Sequence, residues 1–337
     1  MTDQKTDQTG VNQESLIEIV KLTKKFEDVT AINEISFSLK KGEIFGFLGP
    51  NGAGKTTTIN ILTGLSRPDS GTIRVAGLDC TKNPKAAQHL IGIVPDESNL
   101  YPELSGFENL CFCASLYGMR KKERRERAGE LIEIFGLKEA ADRKFNGYSK
   151  GMKRKLTIAS GIIHNPRILF LDEPTTGIDV ASARQIRQLI ADLNSKGATI
   201  FLTTHYIEEA ERLCNRIAFI VKGQISRIDT VENLMRQTQG KHMVQFTFKA
   251  TGGSACEHIK KAFPDLLCKT APEGIRIESP MPIGVGPLVR LLEDNGFEVM
   301  EAKKILPSLE DIFVKITGIE ARTMKQEKEK VKMGGNA

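Results

Sequence analysis

No uncharged apolar run in this chain approaches the ~18 residues that a membrane-spanning helix requires. The opening stretch, Met1 to Ser15, is polar and lacks the apolar core of a secretory signal. Any membrane crossing is therefore expected of another chain. Cysteine is sparse: six residues, at 80, 111, 113, 214, 256 and 268, of which only Cys111 and Cys113 are close. No CxxC pair or Cys/His metal spacing occurs. On a helix Cys111 and Cys113 would point in different directions, which argues against a shared metal. Without a signal segment, the six are expected to be reduced thiols in a cytosolic protein. A strong charge of one sign is also lacking, the net charge being +6. Part of it is local, in Arg120 to Arg127 (RKKERRER), whose interspersed glutamates read as a solvated helix face rather than a nucleic-acid or headgroup contact. There is no internal repeat.

What is present suits one large domain and a small one: 337 residues, 40 % of them hydrophobic, enough for a sizeable core. Residues 1–14 read as disordered. Ile17 to Leu22 and Ala31 to Leu39 read as strands, the second with Ile35, Phe37 and Leu39 alternating against polar partners. Ile44 to Leu48 is a short, wholly apolar strand, as expected when both faces of a sheet are covered. A helix is predicted from Lys55 to Leu65, and further strands at Thr72 to Val75 and Ile91 to Val94. The pattern is helical from about Ser105 to Gly161. Ile168 to Leu171 is a second buried strand. A helix (Val180 to Lys196), a strand (Thr199 to Thr203), a helix (Ile207 to Leu213) and the strands Ile217 to Val221 and Gln224 to Ile228 follow. Alternating strands and helices imply an α/β core with a largely parallel sheet, into which a helical subdomain of about 103–161 is inserted.

A break is expected near Gln237 to Lys241, ending a domain of 15–237. Beyond it, strands at Met243 to Phe248, Ile275 to Glu278 and Phe297 to Ala302 mix with helices at Cys256 to Phe263, Gly286 to Asn295 and Ser308 to Ile316. This reads as a small α+β domain over 241–318, of usual size for an accessory unit. Residues 319–337, with KQEKEKVK, read as a solvated tail.

The chemistry begins at Gly49–Pro50–Asn51–Gly52–Ala53–Gly54–Lys55–Thr56, a phosphate-loop pattern between a strand and a helix. The glycines permit a backbone path that aims several N–H groups at one point, and a helix N-terminus adds to their pull on phosphate oxygens. Lys55 would neutralise charge on the β- and γ-phosphates. The Thr56 hydroxyl would ligate Mg²⁺, and Thr57 can bond a neighbouring phosphate. Such a loop serves kinases, GTPases and transporter ATPases alike, so a second carboxylate site is needed. Ile168 to Leu171 ends in Asp172–Glu173, which puts two acids at the C-terminal end of a strand, where ligands sit in open α/β sheets. Asp172 can hold Mg²⁺ through water. Glu173 can polarise the attacking water as a general base.

Between these sites lies Tyr148–Ser149–Lys150–Gly151–Met152–Lys153–Arg154. This resembles the signature motif of ABC ATPases, which often reads Leu-Ser-Gly-Gly-Gln. With the phosphate loop, the Asp–Glu pair and the order of motifs, residues 15–235 are identified as an ABC cassette. The fold class implied is α/β, a P-loop NTPase cassette with an antiparallel β subdomain and an inserted helical subdomain, plus the small C-terminal α+β domain. The resemblance implies a head-to-tail dimer with a second copy or a homologous cassette. There Ser149, Lys150, Gly151 and Met152, at a helix start, would meet the γ-phosphate of ATP on the other subunit. It implies that Phe26 stacks on adenine, as the family's aromatic does, with a packed core phenylalanine as the alternative. Thr176–Gly177–Ile178–Asp179 resembles the D-loop, and Asp179 carries over. His205 resembles the switch histidine that contacts the γ-phosphate and orients Glu173 and water.

Three positions, in two motifs, depart from the family. Asp96 stands where the family usually has a glutamine that touches Mg²⁺ and links the cassette to its membrane partner. Aspartate is a hard-cation ligand, but shorter and charged. Lys150 and Met152 replace Gly and Gln, as in the subgroup serving type-2, multidrug- or antibiotic-exporter-like systems, whose permease is a separate chain. The stretch ending in Leu309–Glu310–Asp311–Ile312–Phe313 resembles that subgroup's accessory domain. The resemblance thus implies an ATPase, with Mg²⁺ accompanying ATP, that works from the cytoplasmic face of the membrane. Its partner is an integral membrane permease, docked at a cleft in the 95–110 region, and no direct nucleic-acid partner is expected. The alternative is a non-transport ABC ATPase acting on nucleic acid or ribosomes. Members acting in translation commonly carry two cassettes per chain, and repair-type members carry long coiled coils between phosphate loop and signature, where this chain has only 93 residues between Lys55 and Ser149. This chain has neither feature.

Overall fold

The computed structural model describes residues 15–236, 242–249, 254–271, 274–305 and 308–319. The expected N-terminal disorder over 1–14, the break at Gln237 to Lys241 and the charged tail after Ile319 lie outside the described residues. The chain divides into two compact units, the smaller being Glu232–Lys315.

In the larger unit, β1 (Ser15–Phe26) and β2 (Val29–Lys40) form a hairpin whose register closes at Phe26↔Val29. Ile17, Ile19 and Leu22 turn inward from β1, the alternation that makes one face of a sheet apolar. The strands β3 (Ile44–Leu48), β4 (Ser70–Val75), β5 (Leu78–Asp79) and β6 (Ile91–Val94) follow, with α1 (Lys55–Leu62) after β3. Helices α2 (Gly106–Leu116), α3 (Lys121–Ile134) and α4 (Lys150–Gly161) lie between β6 and β7 (Ile168–Asp172). Then come α5 (Val180–Ser195), β8 (Thr199–Thr204), α6 (Ile207–Leu213), β9 (Arg216–Val221) and β10 (Gln224–Thr230).

These strands make two sheets. One is antiparallel, in the order β2-β1-β4-β5, and the other has the order β10-β9-β3-β8-β7-β6. In the second, β3, β6, β7, β8 and β9 run parallel, and β10 alone is antiparallel, at an edge. Strands β3 and β7 are buried along their whole length, which explains their unbroken apolar sequences. Phenylalanines join the sheets: the ring of Phe37 on β2 lies 5.4 Å from Phe45 and 6.0 Å from Phe201. Helix α2 starts at a capping box, Ser105 and Glu108 each accepting from the other's backbone N–H.

Helix α1 stops three residues short of its expected end, because Thr63 caps it and Gly64 turns away at φ 77°. The expected helical stretch resolves into three helices joined partly by 3₁₀ turns at Lys138–Ala140 and Phe145–Gly147. A further 3₁₀ segment, Pro84–Leu90, has no counterpart in the sequence reading.

The smaller unit holds α7 (Val231–Arg236, at the boundary), β11 (His242–Phe248), α8 (Ala255–Ala262), β12 (Leu267–Ala271), β13 (Gly274–Ser279), α9 (Val285–Asp294), β14 (Val299–Ile305) and α10 (Leu309–Thr317). Its sheet is antiparallel, β12-β13-β11-β14, over a core that includes Val244, Phe246, Ile259, Ile275, Ile277, Leu288 and Leu292. Strand β12 shows no readable alternation because only Cys268 of its five residues is buried. It carries a correction to the cysteine reading. Cys256 on α8 and Cys268 on β12 form a disulfide, their Cα atoms 5.4 Å apart. A separation of twelve residues concealed the pair, since only the packing of α8 beside β12 brings the thiols together. Cys80, Cys111, Cys113 and Cys214 are free.

Candidate functional site

The C-terminal ends of four neighbouring parallel strands, β6, β7, β8 and β3, carry the polar residues singled out in the sequence. A cleft of about 440 Å³ opens there, lined by Asn51, Gly52, Lys55, Thr56, Thr57, Asp96, Asp172 and Glu173, with Val29 to Ala31 and Lys222 on one wall.

The loop after β3 takes its path because glycine is required at its ends. A Cβ on Gly49 would lie 2.1 Å from the Ile220 carbonyl oxygen, and one on Gly54 would lie 2.5 Å from that of Ala31. Gly54 also has φ 101°, the left-handed region. It caps α1 without a side chain, so no side-chain oxygen competes for the N–H groups of the first turn. Lys55 is buried; its ammonium donates to the carbonyls of Gly49 (2.8 Å) and Pro50 (3.0 Å) and lies 3.4 Å from Glu173 Oε1. The Thr56 hydroxyl donates to Asp172 Oδ2 at 3.0 Å, while the Thr203 hydroxyl donates to Oδ1. One carboxylate is thus oriented by hydroxyls from two elements.

Glu173 is buried and has φ 49°, a left-handed conformation that costs a residue with a Cβ about 1–2 kcal/mol. Its N–H donates to the Thr203 carbonyl at 3.1 Å. Its Oε2 accepts from the Thr176 hydroxyl at 3.0 Å and from His205 Nδ1 at 2.6 Å. His205, directly after β8, is itself buried. The arrangement offers an acid that could take a proton, a cation beside it, and an imidazole that fixes its orientation.

Phe26 ends β1 and is 50 % exposed, with the Lys24 ammonium 5.2 Å from its ring centroid. It is therefore not a packed core residue. Its strand partner Val29, not Phe26, lines the cleft.

Ser149, Lys150, Gly151, Met152 and Asp179 do not line the cleft. Ser149 is exposed and caps α4, accepting from the Met152 N–H at 3.2 Å. Lys150 is exposed and Met152 half-buried. Gly151 is buried, and a Cβ there would lie 2.3 Å from the Ser182 hydroxyl, so close packing of α4 on α5 requires glycine. Asp179 is exposed and caps α5; the Ser182 N–H at 2.8 Å holds its carboxyl below the usual range.

Two buried groups of this region were missed. Arg154 sits between two other basic residues and reads as one more surface charge. Its phase with Gly151 and Ile158, on the buried face of α4, is the signal that separates it. Its guanidinium donates to the carbonyls of Asp172 (2.7 Å), Pro174 (2.8 Å), Asp96 (3.1 Å) and Pro95. Glu209, on α6, accepts from the Thr175 hydroxyl at 2.8 Å, and burial pushes its carboxyl up.

Among the described residues, no group of three or more His, Cys, Asp and Glu is arranged to hold a metal ion. Thr56 and Asp172, 3.0 Å apart, nevertheless supply hard oxygen donors at the cleft wall, with Asp96 across it. That donor set suits a divalent cation whose other ligands are phosphate oxygens and water.

The family model described as "ABC transporter" matches residues 32–176. The chain is 43 % identical over 232 residues to the linearmycin resistance ATP-binding protein LnrL of Bacillus subtilis, covering 69 % of this chain and 75 % of that protein. It is 35 % identical over 307 residues to the doxorubicin resistance ATP-binding protein DrrA of Mycobacterium tuberculosis, covering 86 % and 89 %. It is 33 % identical over 324 residues to the Nod factor export ATP-binding protein I of Ralstonia nicotianae, covering 93 % and 97 %. Among solved structures, the dimeric post-hydrolysis state of the ATP-binding cassette MJ0796, bound to ADP and Pi, superposes with a TM-score of 0.59 at 28 % identity. That match covers 64 % of this chain and 98 % of that one.

Proposed function

Because this chain belongs to the ATP-binding subunits of ABC transporters, we propose that it hydrolyses ATP within a closed dimer and so drives export through a separate membrane permease. The observation that carries the reading is the cluster at the strand ends, where Lys55 and His205 flank Glu173 while Thr56 and Thr203 hold Asp172. Export rests on the resistance and export names of the relatives. Among the described residues no helix is long and apolar enough to cross a membrane. The place on the cytoplasmic face is proposed from the likeness to transporter ATP-binding proteins.

The loop N–H groups and Lys55 bind the triphosphate. In doing so Lys55 exchanges its contact with Glu173 for one with the β- and γ-phosphates. Glu173, still held by His205, then takes a proton from the attacking water. Thr56, Asp172 and Asp96 would hold Mg²⁺, which supplies charge neutralisation at the phosphates when bound. Ser149 and Gly151 complete the site of a second copy, or of a homologous cassette, with the α4 N-terminus facing its γ-phosphate.

Phe26 stacks on adenine. Phe26→Ala should weaken ATP binding about twofold to tenfold, the value of one aromatic pair, with Phe26→Tyr close to wild type. Titration with tripolyphosphate, which has no base, should give the same affinity for all three proteins. An equal loss with tripolyphosphate would remove Phe26 from the adenine role.

The permease docks beside α2. Tyr101, Pro102, Glu103, Leu104 and Phe112 line a depression of about 260 Å³. Tyr101 and Phe112, which line it, are 52 % and 37 % exposed, and Leu116, one turn after Phe112 on α2, is 71 % exposed. Clustered exposed apolar side chains of this kind mark a protein contact. The tagged chain, extracted gently from membranes, should bring a polytopic membrane protein with it. Phe112→Glu with Leu116→Glu should abolish that recovery while ATP binding persists. Recovery of ribosomes or nucleic acid alone would overturn the transporter reading.

A further inference from the structure

We propose that Arg154 is a positioning residue, one that locks the helix beginning at Ser149 to the strained backbone of Glu173. The inference rests on reading Glu173 as the general base. Arg154 lies in α4, only five residues after Ser149, and is 7 % exposed. All four hydrogen-bond acceptors recorded for its guanidinium are backbone carbonyls. Two of them, from Asp172 and Pro174, belong to the residues on either side of Glu173. The other two, from Pro95 and Asp96, belong to the loop after β6.

That arrangement answers a geometric need. Glu173 holds φ 49°, an unfavourable conformation for a residue with a Cβ, and such a conformation persists only where its surroundings over-determine it. Carbonyls fixed on both flanks by one planar group prevent the peptide units from relaxing. A guanidinium has five N–H donors in a rigid fork, so it can hold several carbonyls at once, which an ammonium on a flexible stem cannot do with equal geometry. A second tie runs parallel to it: the Thr157 hydroxyl on α4 lies 2.8 Å from that of Ser98. Helix α4, the Asp96 loop and the end of β7 are therefore joined through one side chain. A displacement of α4 by a partner's nucleotide at Ser149 would shift the backbone of this chain's own Glu173. The hydrogen bond to Asp96 goes to its carbonyl, and the nearby Asp96 carboxylate favours the charged guanidinium as well.

The test uses the full chain with Arg154→Lys, and with Arg154→Gln as a second variant should the first not fold. Steady-state ATP turnover is measured per nucleotide-binding site, beside the Kd for a non-hydrolysable ATP analogue. Arg154 is not part of the cleft lining, so the expected Kd stays within about threefold while kcat falls at least ~10-fold, the cost of a misplaced catalytic group. Glu173→Gln is assayed alongside. Wild-type kcat per site in the Arg154 variants, with only a lower Tm, would reduce Arg154 to a stabilising role and overturn the inference. A Kd that rises in step with the loss of kcat would also overturn it. Turnover retained in Glu173→Gln would instead overturn the general-base reading.

Discussion

Replacing Lys55 with alanine should lower ATP affinity at least a hundredfold. Charge-assisted hydrogen bonds contribute about 1.5–3 kcal/mol each, and an ammonium with three donors makes more than one to a triphosphate. Two such bonds correspond to roughly 10²–10⁴ in Kd, at about 1.4 kcal/mol per factor of ten. Titration with a fluorescent ATP analogue measures this directly, and unchanged affinity would refute the phosphate-loop reading. The substitution has a second consequence. In the structure Lys55 faces Glu173 Oε1 at 3.4 Å, both groups being buried. Removing one partner of a buried pair costs about 3–5 kcal/mol, so the alanine variant should also melt earlier. Lys55→Met, which keeps most of the stem, separates the lost charge from lost packing. It should bind ATP as poorly as Lys55→Ala.

Glu173→Gln should leave ATP binding intact and reduce kcat by about 10²–10⁴, the usual contribution of a positioned general base. Glutamine is nearly isosteric and still accepts from His205, but its amide cannot take a proton from water. With hydrolysis blocked and the triphosphate retained, the protein should accumulate as an ATP-bound dimer, visible as a doubled mass in light scattering when ATP is present. Normal turnover in this variant would remove Glu173 from the chemistry. A blocked monomer would leave the base assignment standing and count against the two-chain site.

How far these expectations could be read before the structure depends on the kind of signal. Gly49 to Thr56 is legible because each residue type answers a local demand, and Gly54 at φ 101° and the uncapped start of α1 are the physical form of that demand. Ile44 to Leu48 and Ile168 to Leu171 are legible because strands covered on both faces lose their alternation. Arg154 was opaque for the opposite reason. Lys153, Arg154 and Lys155 look alike in sequence, and only packing reveals which of them turns inward. Glu209 was hidden the same way, its neighbour Glu208 being exposed. The Cys256–Cys268 disulfide needed the placement of α8 beside β12. Gly151 shows a subtler limit. Its motif points to a phosphate, yet the contact in hand is with Ser182, so one residue answers a packing demand within the chain whatever it meets beyond it.

The strand order β3-β8-β7-β6 acts as a ruler. Strands in a sheet stand about 4.8 Å apart, so the phosphate loop and the Asp172–Glu173 pair, with β8 between them, begin about 10 Å apart. Asp96, one strand further, begins at about 14 Å from the loop's strand. These spacings are set by backbone hydrogen bonds of the sheet rather than by loop conformation. Lengthening a surface loop would leave them unchanged. Side chains close that gap, Thr56 reaching Asp172 at 3.0 Å and Lys55 lying 3.4 Å from Glu173, so a phosphate held at Gly49 to Thr56 lies beside both acids although the strands that carry them are not neighbours.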